Sequence, residues 1–450
     1  MIRSLVLLFP LLACLGLTFR YPFAGVLTWA WLTCMSPNRE AYGITDVLRL
    51  NLVVGIVTLL AWFFSKERKL PPFDTTFVAV LMFFVWMTFN SFFAVDPDWS
   101  WPLWDRTWRV LALGLLVGAM ATTELRIHAL IWILAISLMY WGTKGGLLTL
   151  MTGGTKWISG PHDTIIADNN QLAVALLMSL PLVNYLRLHT ANRWVRLALM
   201  AGFALTFLSV IGSYSRGGYV AAGALCVFGW FRSRNKLLYA IVAVVLAVPT
   251  FYFMPESFYD RLFTLSNASE DVDLQSRVTS WKVAYFYARD HFPFGAGFAG
   301  PQLPQVYNFY FPGLPTGAAH SIFFQVLGEQ GFIGFALYVL LIGLVFLNIH
   351  RIQKAVRNRP EFAWARDLTR MIQVSMVGYC VGGAALSMSY YDVFWIYVGL
   401  LPALRNLTKP VPTKWATAPT ITFQGLAPAD TGSLRVRSTS DKSPTSQPST

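Results

Sequence analysis

Long apolar stretches recur along the whole chain, and they limit its fold more than any other feature of the sequence. Segments 47–64, 197–213 and 321–349 each contain at most one charged residue. An α-helix of about 20 apolar residues spans the roughly 30 Å hydrocarbon core of a bilayer. Only 13% of all residues are charged and the mean hydropathy is +0.50, whereas soluble domains carry about 25% charged residues. The sequence therefore predicts a polytopic membrane protein.

These stretches are predicted to be α-helices, because lipid offers the backbone no hydrogen-bond partners outside its own segment. They are continuously apolar, whereas the strands of a membrane barrel alternate between apolar and polar residues. The expected fold is an all-α polytopic membrane protein. The first two candidate spans are short enough to form one tight hairpin, so 12 or 13 transmembrane helices are expected. The candidate spans are 4–19, 23–35, 47–64, 76–94, 108–122, 127–141, 170–187, 197–213, 217–231, 237–254, 321–349, 371–388 and 391–404.

Lysine and arginine predict how the chain is oriented. The basic linkers fall on one side when the candidate spans alternate, and by the positive-inside rule this side is cytoplasmic. The opposite, outer side receives the turn at 213–217 and the long loop 255–320, while the side of the N-terminus stays open. Residues 1–404 are expected to form the membrane domain, and 405–450 a disordered cytoplasmic tail rich in Pro, Thr and Ser. The basic linkers are 65–69, 187–196, 232–236 and 350–370.

Several function classes are disfavoured by the composition. The net charge is +13, but the sequence shows no contiguous basic face with interleaved aromatic residues of the kind that binds nucleic acid. The four cysteines lie in or beside apolar runs without CxxC or Cys/His spacing, so no disulfide or metal site is expected. His162, Asp163 and Asp168 have no specific metal-ligand spacing, and there is no GxxxxGK(S/T) motif for ATP. No metal and no cofactor are therefore expected.

Three polar features fall on the predicted outer side. Arg216 stands in the tight turn "SYSRGG" (213–218), where two glycines let the backbone turn and let a ligand approach. Arg277 lies near the start of a helix-like pattern in the long loop, where an arginine suits anion binding better than helix stability. His320 stands at the start of the next span, ahead of Glu329. Each residue alone also has an ordinary explanation, such as snorkelling, surface exposure or helix capping.

A fourth polar patch, "SGPHDTIIADNNQLAVALL" (159–177), precedes another span on the same side. Asp168 and Asn169 are placed to cap the helix that follows, since both residue types favour the N-cap position. Both are candidates to support a site on the outer side.

The order of these motifs resembles the O-antigen ligase family of bacterial inner membranes, whose motif layout is shared with O-antigen polymerases. "SRGG" follows a span, a long loop comes next, and "AHSIFFQVLGEQGFIG" opens the next span, so that the resemblance covers most of 40–404. "TWAWLTCMSPNRE" and "GPHDTIIADNN" are similar to the O-glycosylation ligase subgroup found beside exosortase systems. The family elements W…P-x-G-x-G and H-S…E-x-G-x-x-G correspond here to Trp281, Pro293, Gly295, Gly297, His320, Ser321, Glu329, Gly331 and Gly334.

The resemblance implies a membrane glycosyltransferase of GT-C-like architecture with a periplasmic active site in the bacterial inner membrane. Such an enzyme moves a preassembled glycan from undecaprenyl diphosphate to a hydroxyl, usually of a lipid A–core sugar and in relatives of a protein side chain. The resemblance also implies inversion of the anomeric centre without nucleotide sugar or metal. The implied partners are the lipid-linked donor, the hydroxyl acceptor and membrane lipids.

The motif residues suit this chemistry. Arg216 and Arg277 would hold the diphosphate through the planar guanidinium fork and stabilise charge on the leaving group. His320 would take the proton of the acceptor hydroxyl, because imidazole has an ordinary pKa close to neutral pH. The residues expected to support them are Glu329, Asp168, Asn169 and Trp281.

Three alternatives stay open at the level of the sequence. An O-antigen polymerase would use the same donor and a growing lipid-linked chain as acceptor, and a protein O-oligosaccharyltransferase would use a protein hydroxyl. A transporter of lipid-linked glycans would also need arginines, but at mid-membrane depth, whereas the charges here cluster at one membrane boundary.

Overall fold

The computed structural model describes residues 2–41, 45, 48–66, 70–232 and 272–409. Within these ranges the regular structure is entirely helical, and two short 3₁₀ helices, Gly300–Gln302 and Pro360–Phe362, join longer ones. The α-helices, numbered here in chain order, are α1 (Ile2–Arg20), α2 (Pro22–Met35), α3 (Pro37–Ala41), α4 (Leu50–Phe64), α5 (Thr75–Ser91), α6 (Pro97–Met120), α7 (Glu124–Thr152), α8 (Asn169–His189), α9 (Arg193–Gly212), α10 (Arg216–Arg232), α11 (Val272–Asp290), α12 (Pro304–Tyr310), α13 (Ile322–Ala355), α14 (Ala363–Gly383) and α15 (Asp392–Leu407).

Five of the described helices are long and apolar enough to cross a membrane, namely α1, α7, α8, α9 and α13. Helices α2, α4 and α5 are apolar but shorter. The fold is therefore that of a helical membrane protein, as the sequence predicts. The expected total of 12 or 13 spans stays a prediction, and the candidate span 237–254 lies outside the described residues.

Several helices extend beyond the predicted spans, because their ends are set by caps rather than by hydropathy. Helix α6 begins at Pro97 rather than at 108, since the Asp96 side chain accepts a hydrogen bond from Trp99 N at 3.1 Å. Helix α7 continues to Thr152 and ends at Gly153, whose φ is 60°. Helix α14 starts eight residues before the predicted 371, and α15 continues through 405–407, the first residues of the predicted tail.

Small residues let the membrane helices approach closely, which is how helices associate when lipid removes the hydrophobic driving force. A methyl group on Gly399 of α15 would lie 1.8 Å from the Gly114 carbonyl oxygen of α6. Likewise, a methyl group on Gly146 of α7 would lie 2.1 Å from the Leu205 carbonyl oxygen of α9. Neither glycine position has space for a side chain, so these two helix pairs are in backbone contact.

A polar network joins the C-terminal end of α15 to the N-terminal end of α5. Arg405 Nη2 lies 2.8 Å from Asp74 Oδ2, and Arg405 Nη1 donates to Asn348 Oδ1 at 2.8 Å. Asp74 is also the N-cap of α5. The opposite end of α15, at Asp392, lies beside the candidate site described next.

Candidate functional site

Arg216 is the first residue of α10 and follows a turn formed by three residues. Tyr214 adopts the left-handed conformation with φ 53°, and Ser215 Oγ caps α10 by accepting from Gly218 N at 2.9 Å. Burial raises the pKa of the Tyr214 hydroxyl, which stays protonated and donates to Gly154 O. The sequence interpretation assigned the turn to the glycines and was wrong there, because Gly217 and Gly218 already belong to the helix.

Asp168 caps α8 as predicted, whereas Asn169 is the first residue of that helix and contacts the turn instead. Asp168 is the N-cap of α8, and its Oδ1 accepts from Asn170 N at 2.9 Å. Asn169 Nδ2 donates to Ser213 O at 2.7 Å. The start of α8 is therefore fastened to the residues that lead into Arg216.

Arg277 lies on α11, the helix that the sequence pattern predicts in the long loop. Its Nη1 donates to Ala385 O at 3.0 Å, which places the guanidinium against the loop 384–391 between α14 and α15. Ala385 is 108 residues further along the chain. The contact is therefore a feature of the tertiary fold that local sequence patterns do not reveal.

His320 stands two residues before α13 and adopts a left-handed conformation with φ 43°. Trp281 of α11 holds the preceding peptide, since its Nε1 donates to Ala319 O at 2.6 Å. The Trp281 ring also stacks on Phe324 of α13, with centroids 5.2 Å apart and planes 8° apart. Ser280 Oγ donates to Gly317 O at 3.3 Å. Helix α11 thus fixes the backbone on the N-terminal side of His320.

The loop 384–391 contacts the elements that carry all three predicted functional residues. It accepts the Arg277 bond described above, and a methyl group on Gly217, next to Arg216, would lie 3.9 Å from Leu386 Cδ1. Ser389 Oγ lies 2.9 Å from Ile322 O at the start of α13, two residues after His320. One loop therefore contacts the start of α10, the start of α13 and the first third of α11.

The sequence analysis missed this loop, because the spans 371–388 and 391–404 leave almost no room for it. The signal available in the sequence was the polar interruption "SMSYYD" (387–392) between two apolar runs. Helix α14 in fact ends at Gly383, and Gln171 Nε2 of α8 donates to Ser387 O at 3.3 Å. The loop therefore joins α8 to the same group of elements.

Glu329 is engaged in a buried junction inside the protein. It is 5% exposed, its Oε2 accepts from Tyr390 Oη at 2.8 Å, and its Oε1 accepts from Ala299 N at 3.1 Å. Gly297 N donates to the Glu329 carbonyl oxygen at 3.0 Å. The two glycine-containing family elements therefore pack on each other, and Glu329 fastens the segment after α11 and the loop 384–391 to α13.

The residues considered as metal ligands do not converge. His162 Nδ1 lies 3.3 Å from Asp163 Oδ2, and the same carboxylate pairs with Arg39 at 3.5 Å, while Asp168 caps α8. Among the residues that the structure describes, no group of three or more His, Cys, Asp or Glu side chains is arranged to hold a metal ion.

The fold and the site define a helical membrane protein in which one loop contacts Arg277, the residue after Arg216 and the start of the helix that follows His320. Residues 201–339 match the O-antigen ligase family. This match supports membership of the O-antigen ligase family, and the matched segment contains Arg216, Arg277 and His320. Residues 2–191 match a family of unknown function, DUF5935. A comparison with curated proteins finds no match.

Proposed function

We propose that the protein transfers a preassembled glycan from undecaprenyl diphosphate to an acceptor hydroxyl, that of a lipid A–core sugar, on the periplasmic face of the inner membrane. Family membership supports glycan transfer of the O-antigen ligase or polymerase type. The observation that carries the finer proposal is the set of contacts made by the loop 384–391. This loop contacts Arg277 itself, Gly217 next to Arg216, and Ile322 two residues after His320.

Two arginines bind the donor diphosphate in this proposal. Arg216 stands at the N-terminus of α10, where the helix dipole adds to the attraction for an anion. Arg277 adds a second guanidinium from α11. Paired hydrogen bonds from guanidinium to phosphate oxygens are strong and directional, and they strengthen as the leaving group gains charge.

His320 acts as the general base. The acceptor oxygen attacks the anomeric carbon as its proton passes to the imidazole, and the bond between that carbon and the phosphate oxygen breaks. The bonding electrons leave with undecaprenyl diphosphate, whose charge the arginines stabilise. Attack opposite the leaving group inverts the anomeric centre. Trp281 positions His320 through the peptide at Ala319.

The proposed topology places this site in the periplasm and the C-terminus in the cytoplasm. The basic linkers 187–196 and 350–370 lie at the other ends of α8 and α13 from Asn169 and His320. The positive-inside rule then puts Arg216, Arg277 and His320 on the periplasmic side. A periplasmic acceptor needs this arrangement.

The proposed function is tested by transfer with purified components. The protein in lipid nanodiscs receives an undecaprenyl-diphosphate-linked glycan and lipid A–core, with and without EDTA. We expect glycan attached to lipid A–core at the same rate in both samples, with the anomeric configuration inverted. Extension of the lipid-linked glycan without attachment to lipid A–core would identify a polymerase instead. Loss of transfer on chelation would contradict the metal-free mechanism.

A further inference from the structure

A second group of arginines surrounds the start of α15, and none of them has a role in the transfer step above. Arg106 and Arg109 are on α6, Arg39 is on α3, and Asp392 is the first residue of α15. A methyl group on Gly114 of α6 would meet Trp395 O of α15, and one on Gly118 would meet Gly399 O, so the two helices run parallel. In this register Arg106 and Arg109 lie within about one and a half turns of the level of Asp392. Arg39 follows α2, whose Thr33 side chain contacts the Asp392 carboxylate. Arg39, Arg106 and Arg109 are called the second arginine cluster below.

Two members of this cluster have carboxylate partners of their own. Arg109 Nη2 lies 2.9 Å from Asp105 Oδ2, four residues earlier on α6. Arg39 Nη1 lies 3.5 Å from Asp163 Oδ2, in the segment before α8. These carboxylates are therefore occupied by other guanidinium groups, and neither of them supplies a partner for Arg106.

Arg106 differs from these neighbours. Its guanidinium makes no hydrogen bond or ion pair with the residues that the structure describes. The Asp392 carboxylate instead accepts from Thr33 Oγ1 at 3.1 Å. The Arg106 guanidinium is thus available to a ligand beside the start of α15.

The second arginine cluster adjoins the candidate site. Asp392 directly follows the loop 384–391 and is three residues from Ser389. Three extended residues span at most about 11 Å between the two Cα atoms. Asp163, the partner of Arg39, lies five residues before the N-cap of α8. Arg106 falls in the Trp-rich segment 96–108, and such aromatic belts mark the headgroup region of a membrane. An anionic headgroup at this depth would therefore lie beside the transfer site.

We propose that Arg106, flanked by Arg39 and Arg109, binds a phosphate group of the acceptor lipid. The inference rests on the proposed function, in which Arg216 and Arg277 hold the donor. Guanidinium groups bind phosphate through paired hydrogen bonds. A transferase must also hold the acceptor hydroxyl in line with the anomeric carbon, and a separate anion site does this without competing for the diphosphate.

The test compares R106Q with the wild-type protein on two acceptors, lipid A–core with its phosphates and the same lipid after phosphatase treatment. We expect the KM for the phosphorylated acceptor to rise about tenfold or more in R106Q, because a charge-assisted hydrogen bond is lost. The KM for the donor and the KM for the dephosphorylated acceptor should not change. R289Q removes the same charge from an exposed site on α11 and serves as the control. If R106Q does not fold, R106K keeps the charge without the fork and should show a smaller rise.

Equal effects of R106Q on both acceptors would overturn the inference while leaving the proposed function intact. An effect that follows the phosphatidylglycerol content of phosphatidylcholine nanodiscs would also overturn it, because the site would then bind bulk lipid. Equilibrium binding of phosphorylated lipid A–core without donor gives an independent measurement. If the wild-type protein fails to transfer glycan, the proposed function fails, whereas weaker binding by R106Q alone still supports the anion site.

Discussion

Arg216 combines a side-chain cation with the N-terminus of α10, and Ser215 caps that helix through Gly218 N. We predict that R216A lowers the transfer rate at least about 100-fold, because one preorganised contact to developing charge is typically worth that much. R216K should recover less than about a tenth of the wild-type rate, because lysine keeps the charge but lacks the two-pronged fork. Initial rates at saturating donor and acceptor measure both effects.

The matched controls for Arg216 are R289A and R289K, which change an exposed arginine on α11. Both should transfer at the wild-type rate, since an exposed ion pair contributes little. Full activity of R216K would contradict bidentate phosphate binding at position 216. Full activity of R216A would remove Arg216 from the site altogether.

Trp281 is predicted to act on His320 through the backbone. W281F keeps the ring that stacks on Phe324 but loses the hydrogen bond from Nε1 to Ala319 O. We expect kcat to fall about 10- to 100-fold with little change in either KM, since a base displaced by about 1 Å loses catalytic power without losing substrate binding. Unchanged kcat in W281F would show that His320 does not depend on this bond. If W281F lowers the thermal midpoint and the smaller folded fraction accounts for the whole loss of rate, the role of Trp281 is purely structural.

Among the helices, α13 contains a glycine, Gly331, whose backbone conformation requires this residue type. Gly331 has φ 67° and ψ −170°, a conformation that is open essentially only to glycine, and a methyl group there would lie 2.2 Å from Pro293 O. We predict that G331A destabilises the protein by about 3 kcal/mol or more, from backbone strain and steric overlap. The thermal midpoint of the detergent-solubilised protein measures this.

Gly343 provides the matched control within the same helix, because a methyl group there meets nothing within 4 Å. G343A should be neutral or should stabilise α13 by up to about 1 kcal/mol, as alanine does in place of glycine inside a helix. If G331A and G343A gave the same midpoint, the interlocked packing of the 293–297 segment on α13 would be contradicted.

The comparison of sequence and structure is clearest for elements near the site. Periodicity predicts α11, and residue type predicts Asp168 as an N-cap, because both signals are local. The contacts of the loop 384–391 could not be predicted, since they join residues far apart in the chain, such as Arg277 and Ala385. Hydropathy also could not place the start of α6. The first half of this helix is rich in Trp and charged residues, so it is helical without being continuously apolar, and a polar N-cap sets its start. Local patterns therefore identify the helices, whereas the contacts that surround the loop depend on the tertiary fold.

For the whole molecule, the predicted orientation can be tested by labelling single cysteines. In a background with the four native cysteines replaced, K156C and R289C should react with a membrane-impermeant maleimide in intact cells. R357C, in the basic linker after α13, should react only after the membrane is opened. All three positions are exposed, so burial does not explain a lack of labelling. Labelling of 289 and 357 from the same side would contradict the proposed topology.

The central claim is that Arg216, Arg277 and His320 face one bound diphosphate. A cryo-electron microscopy structure with undecaprenyl diphosphate in a nanodisc tests it most directly. We predict guanidinium nitrogens of Arg216 and Arg277 at about 2.7–3.2 Å from diphosphate oxygens, with the His320 imidazole directed at the space beside the outer phosphate. A diphosphate bound elsewhere, or the three side chains directed to different faces of the helical domain, would contradict the claim.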